Sequence, residues 1–236
     1  MPGMYLSAAP AEEARLAALL HDFDLPLAGF TPEPSAISPD LPRAAFLRAA
    51  SVAALLGQPL PSGPLSALLR RDDPLPANVL RRHVLLRLSL LPYLRTAHVI
   101  TQADGGLLVG DALLIVPVST DDTVDIPLPS GTWTELNGTT HTGRLRCMRG
   151  YNETPLLVRE NALLPVSMNG ASLAQSSEND ADRLTLHWFQ PGSEASCSLA
   201  DGTQYHVQRT SGQICLHADR PCHLVLHEDG RETLLQ

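Results

Sequence analysis

The sequence contains no lysine, few aromatic residues and no apolar run of membrane-spanning length. All 17 basic residues are arginine, and the 25 acidic residues outnumber them, so the formal net charge is −8. Nucleic acids and anionic membranes bind basic protein surfaces, and this balance argues against both as partners. An apolar stretch of about 20 residues, as a membrane-spanning helix needs, is also missing.

Cysteines are few, and their spacing excludes two common site types. The four cysteines contain no C-x-x-C pair, which rules out zinc-ribbon and thioredoxin-like motifs. The first residues, M-P-G-M-Y-L-S, lack the basic region and the long apolar core of a signal peptide. We therefore expect a cytoplasmic protein whose cysteines are reduced and buried.

One group of residues near the C-terminus resembles a metal cluster at first sight: Cys215, His217, Cys222, His223 and His227. Two neighbouring strands are predicted here, and successive side chains of a strand point to opposite faces. Cys222 would then face one way, and His223 and His227 the other. We therefore expect core thiols and surface imidazoles, with no metal ion and no cofactor.

The chain of 236 residues is 44% hydrophobic and 18% charged, which is typical of a globular protein with one or two domains.

The pattern of the sequence changes from helical to strand-rich near residue 100. Apolar periodicity predicts helices over residues 11–20, 42–56 and 78–98, with a strand over 23–30. From residue 99, short strands alternate with turn pairs such as Asn137-Gly138, Asp201-Gly202 and Asp229-Gly230.

Three segments carry a family resemblance. Residues 110–118 read G-D-A-L-L-I-V-P-V, residues 128–133 read L-P-S-G-T-W, and residues 155–165 read P-L-L-V-R-E-N-A-L-L-P. Glycoside hydrolase family 31, the α-glucosidases and α-xylosidases, has segments of the form G-D-x-L-L-V-A-P-V, L-P-x-G-x-W and P-L-x-V-R-x-G-A-I-I-P in this order. The three segments therefore resemble the part of the family's sequence in which the β-sandwich follows the catalytic barrel.

Weaker similarities extend the resemblance to residues 12–236. Residues 88–94, L-S-L-L-P-Y-L, are similar to the family's R-x-R-L-L-P-Y-L-Y helix, and residues 200–205 to its Y-E-D-D-G-x-x-x-Y hairpin. The resemblance implies an α+β fold. A helical remnant of a (β/α)8 barrel, residues 1–98, would precede a proximal antiparallel β-sandwich, residues 99–168, and a distal β-domain, residues 169–236.

The resemblance implies that this chain lacks the chemistry of the family. Retaining glycoside hydrolysis needs two carboxyl groups ~5 Å apart. In the family both are aspartates on mid-barrel strands, one of them in W-x-D-x-N-E, and the similarity begins after both. The sugar-binding Asp of the family's D-I-G-G-F corresponds to Pro26. We therefore assign no catalytic, cofactor-binding or metal-ligating residue.

One segment imitates the missing nucleophile motif. Residues 133–137, W-T-E-L-N, are similar to W-x-D-x-N, but they follow L-P-S-G and so belong to the sandwich. Glu135 is then expected to be an exposed strand residue before the Asn137-Gly138 turn.

Other candidate site residues have structural explanations. Asp22 and Asp24 could share a strand face, but apolar residues surround them, and Asp121 and Asp122 are expected in a solvated turn. Aromatic residues make up only 4% of the chain and leave few rings to stack on sugars. We expect the candidates among them to lie in the sandwich core: Trp133, Tyr151 and Trp188.

The predicted function is that of a truncated or degenerate family 31-like protein, structural or regulatory, with little activity alone. One alternative is the C-terminal half of a split α-glycosidase completed by a partner chain. Another is a β-sandwich that binds an α-glycan without cutting it. Two βα units cannot close an eight-stranded barrel. The N-terminal helices must therefore fold onto the sandwich, pair with a second copy or dock on a barrel-bearing chain, with Leu85, Leu86, Leu88 and Leu91 facing outward.

Overall fold

The computed structural model describes residues 43–56, 75–97, 100–103, 106–116, 123–148, 154–167 and 184–235. Within these ranges two helices precede strands that form three sheets. This confirms the predicted α+β fold with β-sandwich character. The predicted helix over 11–20 and the predicted strand over 23–30 lie outside the described residues.

The two helices form where alanine, leucine and arginine dominate the sequence, residues with high helix propensity. Helix α1 spans Arg43–Leu56 and helix α2 spans Leu75–Leu94. Helix α2 begins earlier than predicted because proline is tolerated in a first helical turn, where Pro76 lies. It ends at Leu94, where the amide of Thr96 bonds to the carbonyl of Tyr93, three residues back and not four.

A buried arginine joins the helices. Arg87 of α2 is 1% exposed, and its Nη1 donates to the carbonyl oxygen of Leu55 at 2.7 Å, in the last turn of α1. Carbonyls in a last helical turn lack intrahelical partners, and a cation stabilises that end of the helix dipole. Burial lowers the pKa of Arg87 to about 10, so the side chain stays charged at neutral pH.

The first sheet follows the helices. Its strands lie in the order β1-β2-β3-β6-β4-β5, and each pairs with its neighbours antiparallel. Strands β4 and β5 shift register between Pro127 and Thr132. Proline has no amide hydrogen for the ladder, so Pro129 favours the interruption there. The strand bounds are β1 Ile100–Ala103, β2 Gly106–Val109, β3 Leu113–Ile115, β4 Thr123–Glu135, β5 Thr140–Met148 and β6 Leu156–Arg159.

The remaining strands form two further sheets, ordered β13-β12-β8-β7 and β11-β10-β9. Pairing is antiparallel except between β8 and β12, which run parallel. Strand β7 already lies in the second sheet, while the domain boundary at residue 168 stays a prediction. The bounds are β7 Leu163–Ser167, β8 Leu184–Phe189, β9 Glu194–Ser198, β10 Gln204–Thr210, β11 Gln213–Ala218, β12 His223–Glu228 and β13 Arg231–Leu235.

The predicted turn pairs lie between strands. Asp229 and Gly230 have φ of 51° and 72° and connect β12 to β13. Positive φ at both central residues is the conformation whose twist matches a two-residue hairpin, which is why Asp-Gly favours it. Asp201-Gly202 lies in the longer connection between β9 and β10, with φ of 86° at Gly202.

Three apolar clusters hold these layers together. The central core joins α2 to the facing sides of the first and second sheets through residues such as Leu90, Leu113 and Leu164. A second cluster surrounds Trp133 within the first sheet. A third surrounds Trp188 between the second and third sheets. The described helices therefore pack on the sheets of their own chain.

The outward face predicted for α2 is partly wrong. Leu86 is only 8% exposed and belongs to the central core, whereas Leu85, Leu88 and Leu91 are half-buried. The difference follows from the helical repeat of 3.6 residues, which places Leu86 and Leu90 on one side, four positions apart.

Candidate functional site

Tyr93 ties helix α2 to the turn that opens the first family-like segment. Its hydroxyl donates to the carbonyl of Val109 at 2.7 Å and accepts from the amide of Ala112 at 3.1 Å. The side chain is 7% exposed, and burial raises its pKa to about 12. The hydroxyl is therefore uncharged at neutral pH and acts as a structural bridge.

The three family-like segments meet at one corner, where β6 ends. The amide of Arg159 donates to the carbonyl of Ala112 at 2.8 Å, and the amide of Glu160 donates to the carbonyl of Thr132 at 2.7 Å. The guanidinium of Arg159 lies 5.6 Å from the ring centroid of Trp133, within the range of a cation–π contact. These contacts connect parts of the chain that are far apart in sequence.

Asn161 connects this corner to the second sheet. Its Oδ1 accepts from Trp188 Nε1 at 3.0 Å and from the amide of Gly192 at 2.9 Å, and its Nδ2 donates to the carbonyl of Glu194 at 2.9 Å. Its φ is 58°, a left-handed conformation that asparagine tolerates better than most residues. The family segment quoted above has glycine here, which fits the same backbone geometry.

Replacing Asn161 with alanine is expected to lower the free energy of unfolding by about 2 kcal/mol, since three side-chain hydrogen bonds are lost at the left-handed position. Asn161→Gly loses the same bonds without the backbone strain, so its stability should lie between that of the wild type and that of Asn161→Ala. Urea unfolding curves would measure this order. Ser211→Ala, at an exposed turn residue with φ of 51°, is the control. An alanine variant as stable as the glycine variant would contradict the prediction.

A cleft of about 720 Å³ lies beside the corner, lined by residues 110–112, 159–163 and 195–198 together with the end of α2. Its carboxylates are Asp111 and Glu160, and both are exposed. The cleft can therefore offer hydrogen bonds to a ligand.

The expectation that Glu135 is exposed is wrong. The residue is 6% exposed, and its Oε1 lies 2.7 Å from His141 Nε2 on the facing strand β5. Asn137 Nδ2 donates to the other oxygen, Oε2, at 3.5 Å. The end of β4 is thus covered by its own hairpin, which alternation along one strand does not reveal. The predicted Asn137-Gly138 turn after it is present, with φ of 90° at Gly138.

The strand placement assumed for the cysteine and histidine group is also wrong. Strands β11 and β12 belong to different sheets, so Cys215 and His217 are separated from His223 and His227. Cys215 is exposed and is no core thiol, and the other cysteines are half-buried. Within the described ranges, no three or more His, Cys, Asp or Glu side chains are grouped to hold a metal ion.

His227 is buried, contrary to expectation, and forms a ring cluster that the sequence did not reveal. Its Nε2 lies 2.7 Å from His187 Nδ1, and its ring stacks on Phe189 at 4.1 Å between centroids. Burial lowers the pKa of His187 to about 3 and that of His227 to about 4. Both rings are therefore neutral at pH 7. The pair exists because β8 and β12 lie side by side, although 40 positions separate the residues.

The predicted core positions of both tryptophans are confirmed, since Trp133 and Trp188 are each 0% exposed. Within the part of the chain that the structure describes, the tyrosines, Tyr93 and Tyr205, are also buried. An aromatic platform for sugars is therefore absent from these residues. The remaining candidates lie outside the described ranges: Asp22, Asp24, Asp121, Asp122 and Tyr151.

Residues 90–164 match the family model described as the glycosyl hydrolase family 31 C-terminal domain. The chain is similar to the C-terminal part of family 31 glycoside hydrolases. The match extends from the end of α2 into β7 and includes Tyr93, Gly110, Arg159 and Asn161, the residues of the corner described above. The resemblance predicted from the motifs is confirmed. No protein among those with curated functions matches the chain in sequence.

Solved structures with this fold include enzymes of family 31. A cycloalternan-forming enzyme from Listeria monocytogenes, in complex with a pentasaccharide substrate, is 21% identical with a TM-score of 0.66, covering 85% of this chain and 23% of its own. A GH31 α-xylosidase from Xanthomonas citri is 15% identical with a TM-score of 0.61, covering 83% and 27%. A GH31 dextranase from Flavobacterium johnsoniae, complexed with glucose, is 18% identical with a TM-score of 0.59, covering 78% and 29%.

The chain thus spans about a quarter of the length of these solved structures, 23% in the case of the Listeria enzyme. At such low identity the likeness establishes the fold and leaves activity and substrate to be proposed. Neither described helix has the length and apolarity that crossing a membrane would require.

Proposed function

We propose that this chain is a C-terminal module of the family 31 glycoside hydrolase type, with a structural or regulatory role and little hydrolytic activity of its own. The observation that carries the proposal is that the family-like residues make their contacts within this chain. Tyr93 holds α2 against the turn after β2, Arg159 bonds to that turn from β6, and Asn161 bonds to Trp188 of the second sheet. The match therefore corresponds to residues that connect a helix to a sandwich.

The charges at the corner support a non-catalytic role. The carboxylates in the cleft are exposed, and the buried Glu135 is hydrogen-bonded to His141. A retaining glycosidase needs two facing carboxyl groups ~5 Å apart, and the resemblance assigns those of the family to the barrel. A cytoplasmic location is part of the proposal, supported by cysteines that form no disulfide, as a reducing compartment would require.

The purified chain is expected to release no aryl product from aryl α-glucosides and aryl α-xylosides above the rate without protein. The physical reason is that acid–base and nucleophilic carboxylates must be supplied together for this reaction. Colorimetric release, followed over hours, measures it. Hydrolysis by the chain that is lost in Asp111→Asn or Glu160→Gln would overturn the non-catalytic proposal and assign the chemistry to the cleft.

A split enzyme is the second candidate, favoured by the half-buried leucines on one side of α2: Leu85, Leu88 and Leu91. A chain supplying a family 31 barrel would cover this side and contribute both carboxylates. Co-expression with such a chain should then yield a complex that hydrolyses the aryl glycosides, and Leu88→Glu should prevent its formation. Retention of the chain on an α-glucan column, without turnover, would instead favour the glycan-binding alternative.

A further inference from the structure

A small polar pocket lies between the first and second sheets, away from the cleft at the family-like corner. Its volume is about 170 Å³. The Asn137-Gly138 turn and the Asp229-Gly230 turn meet beside it, where a Cβ on Gly138 would be 3.4 Å from the Cα of Gly230. Both glycines have positive φ, 90° and 72°, so the close approach of the two turns is built into the backbone.

Two buried polar atoms of the pocket residues have no hydrogen-bond partner among the described residues. They are Thr134 Oγ1 and Gln190 Nε2, and both residues line the pocket. Thr134 is 1% exposed. Buried hydroxyl and amide groups in folded proteins are almost always hydrogen-bonded, because leaving one unsatisfied costs its full desolvation energy. Their position at this pocket points to a hydrogen-bonding occupant.

The imidazole of His227 adds a donor of defined direction. Its Nδ1 lies 3.6 Å from Glu232 Oε1, and its Nε2 faces His187 Nδ1. A proton on Nδ1 next to the carboxylate is favoured, so Nε2 accepts from His187. The distance of 3.6 Å is too long for a direct hydrogen bond, so Nδ1 can donate to, and the carboxylate can accept from, an occupant of the pocket. The pocket therefore presents an amide donor, an imidazole donor, a carboxylate acceptor and a hydroxyl that does both.

Size and charge restrict the occupant. A protein cavity of about 150 Å³ accepts benzene, which has six heavy atoms, so a pocket of this volume accepts a ligand of similar size. Arg231 and Glu232 both line it, and their formal charges balance. From these donors, acceptors and dimensions, we propose that the pocket binds a small neutral polyol, a vicinal triol the size of glycerol. This inference does not depend on the proposed function.

The test is a titration of the ¹⁵N-labelled full chain with glycerol, followed by the amide signals of Gly138 and Gly230. We expect saturable shifts of both signals, because the two turns border the pocket. Thr134→Val keeps the side-chain shape and removes the hydroxyl, and should weaken binding about tenfold. Gln190→Met should weaken it similarly, and provides a second variant if Thr134→Val does not fold.

The matched ligand control is 2-methylpropan-2-ol, which is of similar size and has one hydroxyl, and it should give no saturable shift. A titration with sorbitol distinguishes a site for free glycerol from a site for the end of a longer polyol. Saturation by both polyols would assign the site to the triol end of a longer polyol, and saturation by glycerol alone would assign it to the free triol. Linear shifts with glycerol, or equal affinities in wild type and both variants, would overturn the proposal.

Discussion

Replacing Gly110 with alanine is expected to lower the free energy of unfolding by about 4 kcal/mol. A Cβ at this position would lie 2.5 Å from the Tyr93 hydroxyl oxygen and 2.9 Å from the Ala97 Cβ, both closer than real contacts allow. The residue also has φ of 63°, where a side chain costs about 1–2 kcal/mol. Relief of the clash must move Tyr93 off the carbonyl of Val109 and the amide of Ala112, which adds an overpacking cost of about 1–3 kcal/mol.

Gly143→Ala is the matched control for this substitution. Gly143 has nearly the same φ, 66°, but a Cβ there meets nothing within 4 Å. The control should therefore lose only the conformational part, about 1 kcal/mol. Urea unfolding monitored by tryptophan fluorescence would report both variants. Equal losses at the two glycines would show that the approach of Tyr93 does not matter, and would contradict the account of the helix–sheet junction.

Acidification is expected to destabilise the protein through the His187–His227 pair. Burial lowers the pKa of His187 to about 3 and that of His227 to about 4, from an ordinary value of 6.5. The unfolded chain therefore binds protons below pH 6.5, while the native pair stays neutral. Stability is complete above the unfolded pKa and is lost as the pH falls through 6.5 towards the native values. Each pKa unit corresponds to about 1.4 kcal/mol for each histidine, so the loss from about pH 7 to about pH 5 should be about 4 kcal/mol for the pair.

The control for this prediction uses the chain's other paired histidines. His206 and His217 face each other on β10 and β11 with ring centroids 6.3 Å apart, but His206 is half-buried and His217 is exposed. Replacing His187 and His227 together with leucine should make the stability nearly independent of pH in this range. Replacing His206 and His217 together removes two rings outside the buried site and is the matched control. A slope that persists without His187 and His227 would assign the acid sensitivity to other groups.

The position of the turns and the family resemblance could be predicted from the sequence, because both depend on residues close together in the chain. Asp229-Gly230 adopts the left-handed conformations that its residue types favour. Arg159 and Trp133 stand in recognisable segments, yet their contact required the folded chain. The predicted helix boundary near residue 42 was accurate, since α1 begins at Arg43 and its signal is local composition.

The candidate site was less predictable, and the failures share a cause. Glu135 was expected in solvent because strand alternation describes one strand at a time, and His141 covers it from the next strand. His227 was expected at the surface because its partner, His187, is 40 residues away on a parallel neighbour. Thr134 carries no sequence signal at all. Its importance comes from a buried hydroxyl without a partner among the described residues.

The sequence by itself determined the helical and strand-rich halves, the hairpin turns and the similarity to family 31. These follow from backbone preferences and apolar periodicity, which act over a few residues. Only the tertiary structure decided that Tyr93 reaches the Gly110 turn, that Asn161 joins two sheets, and that His187 and His227 share a buried site. Those contacts depend on which strands become neighbours, and that choice is made by the burial of apolar surface over the whole chain.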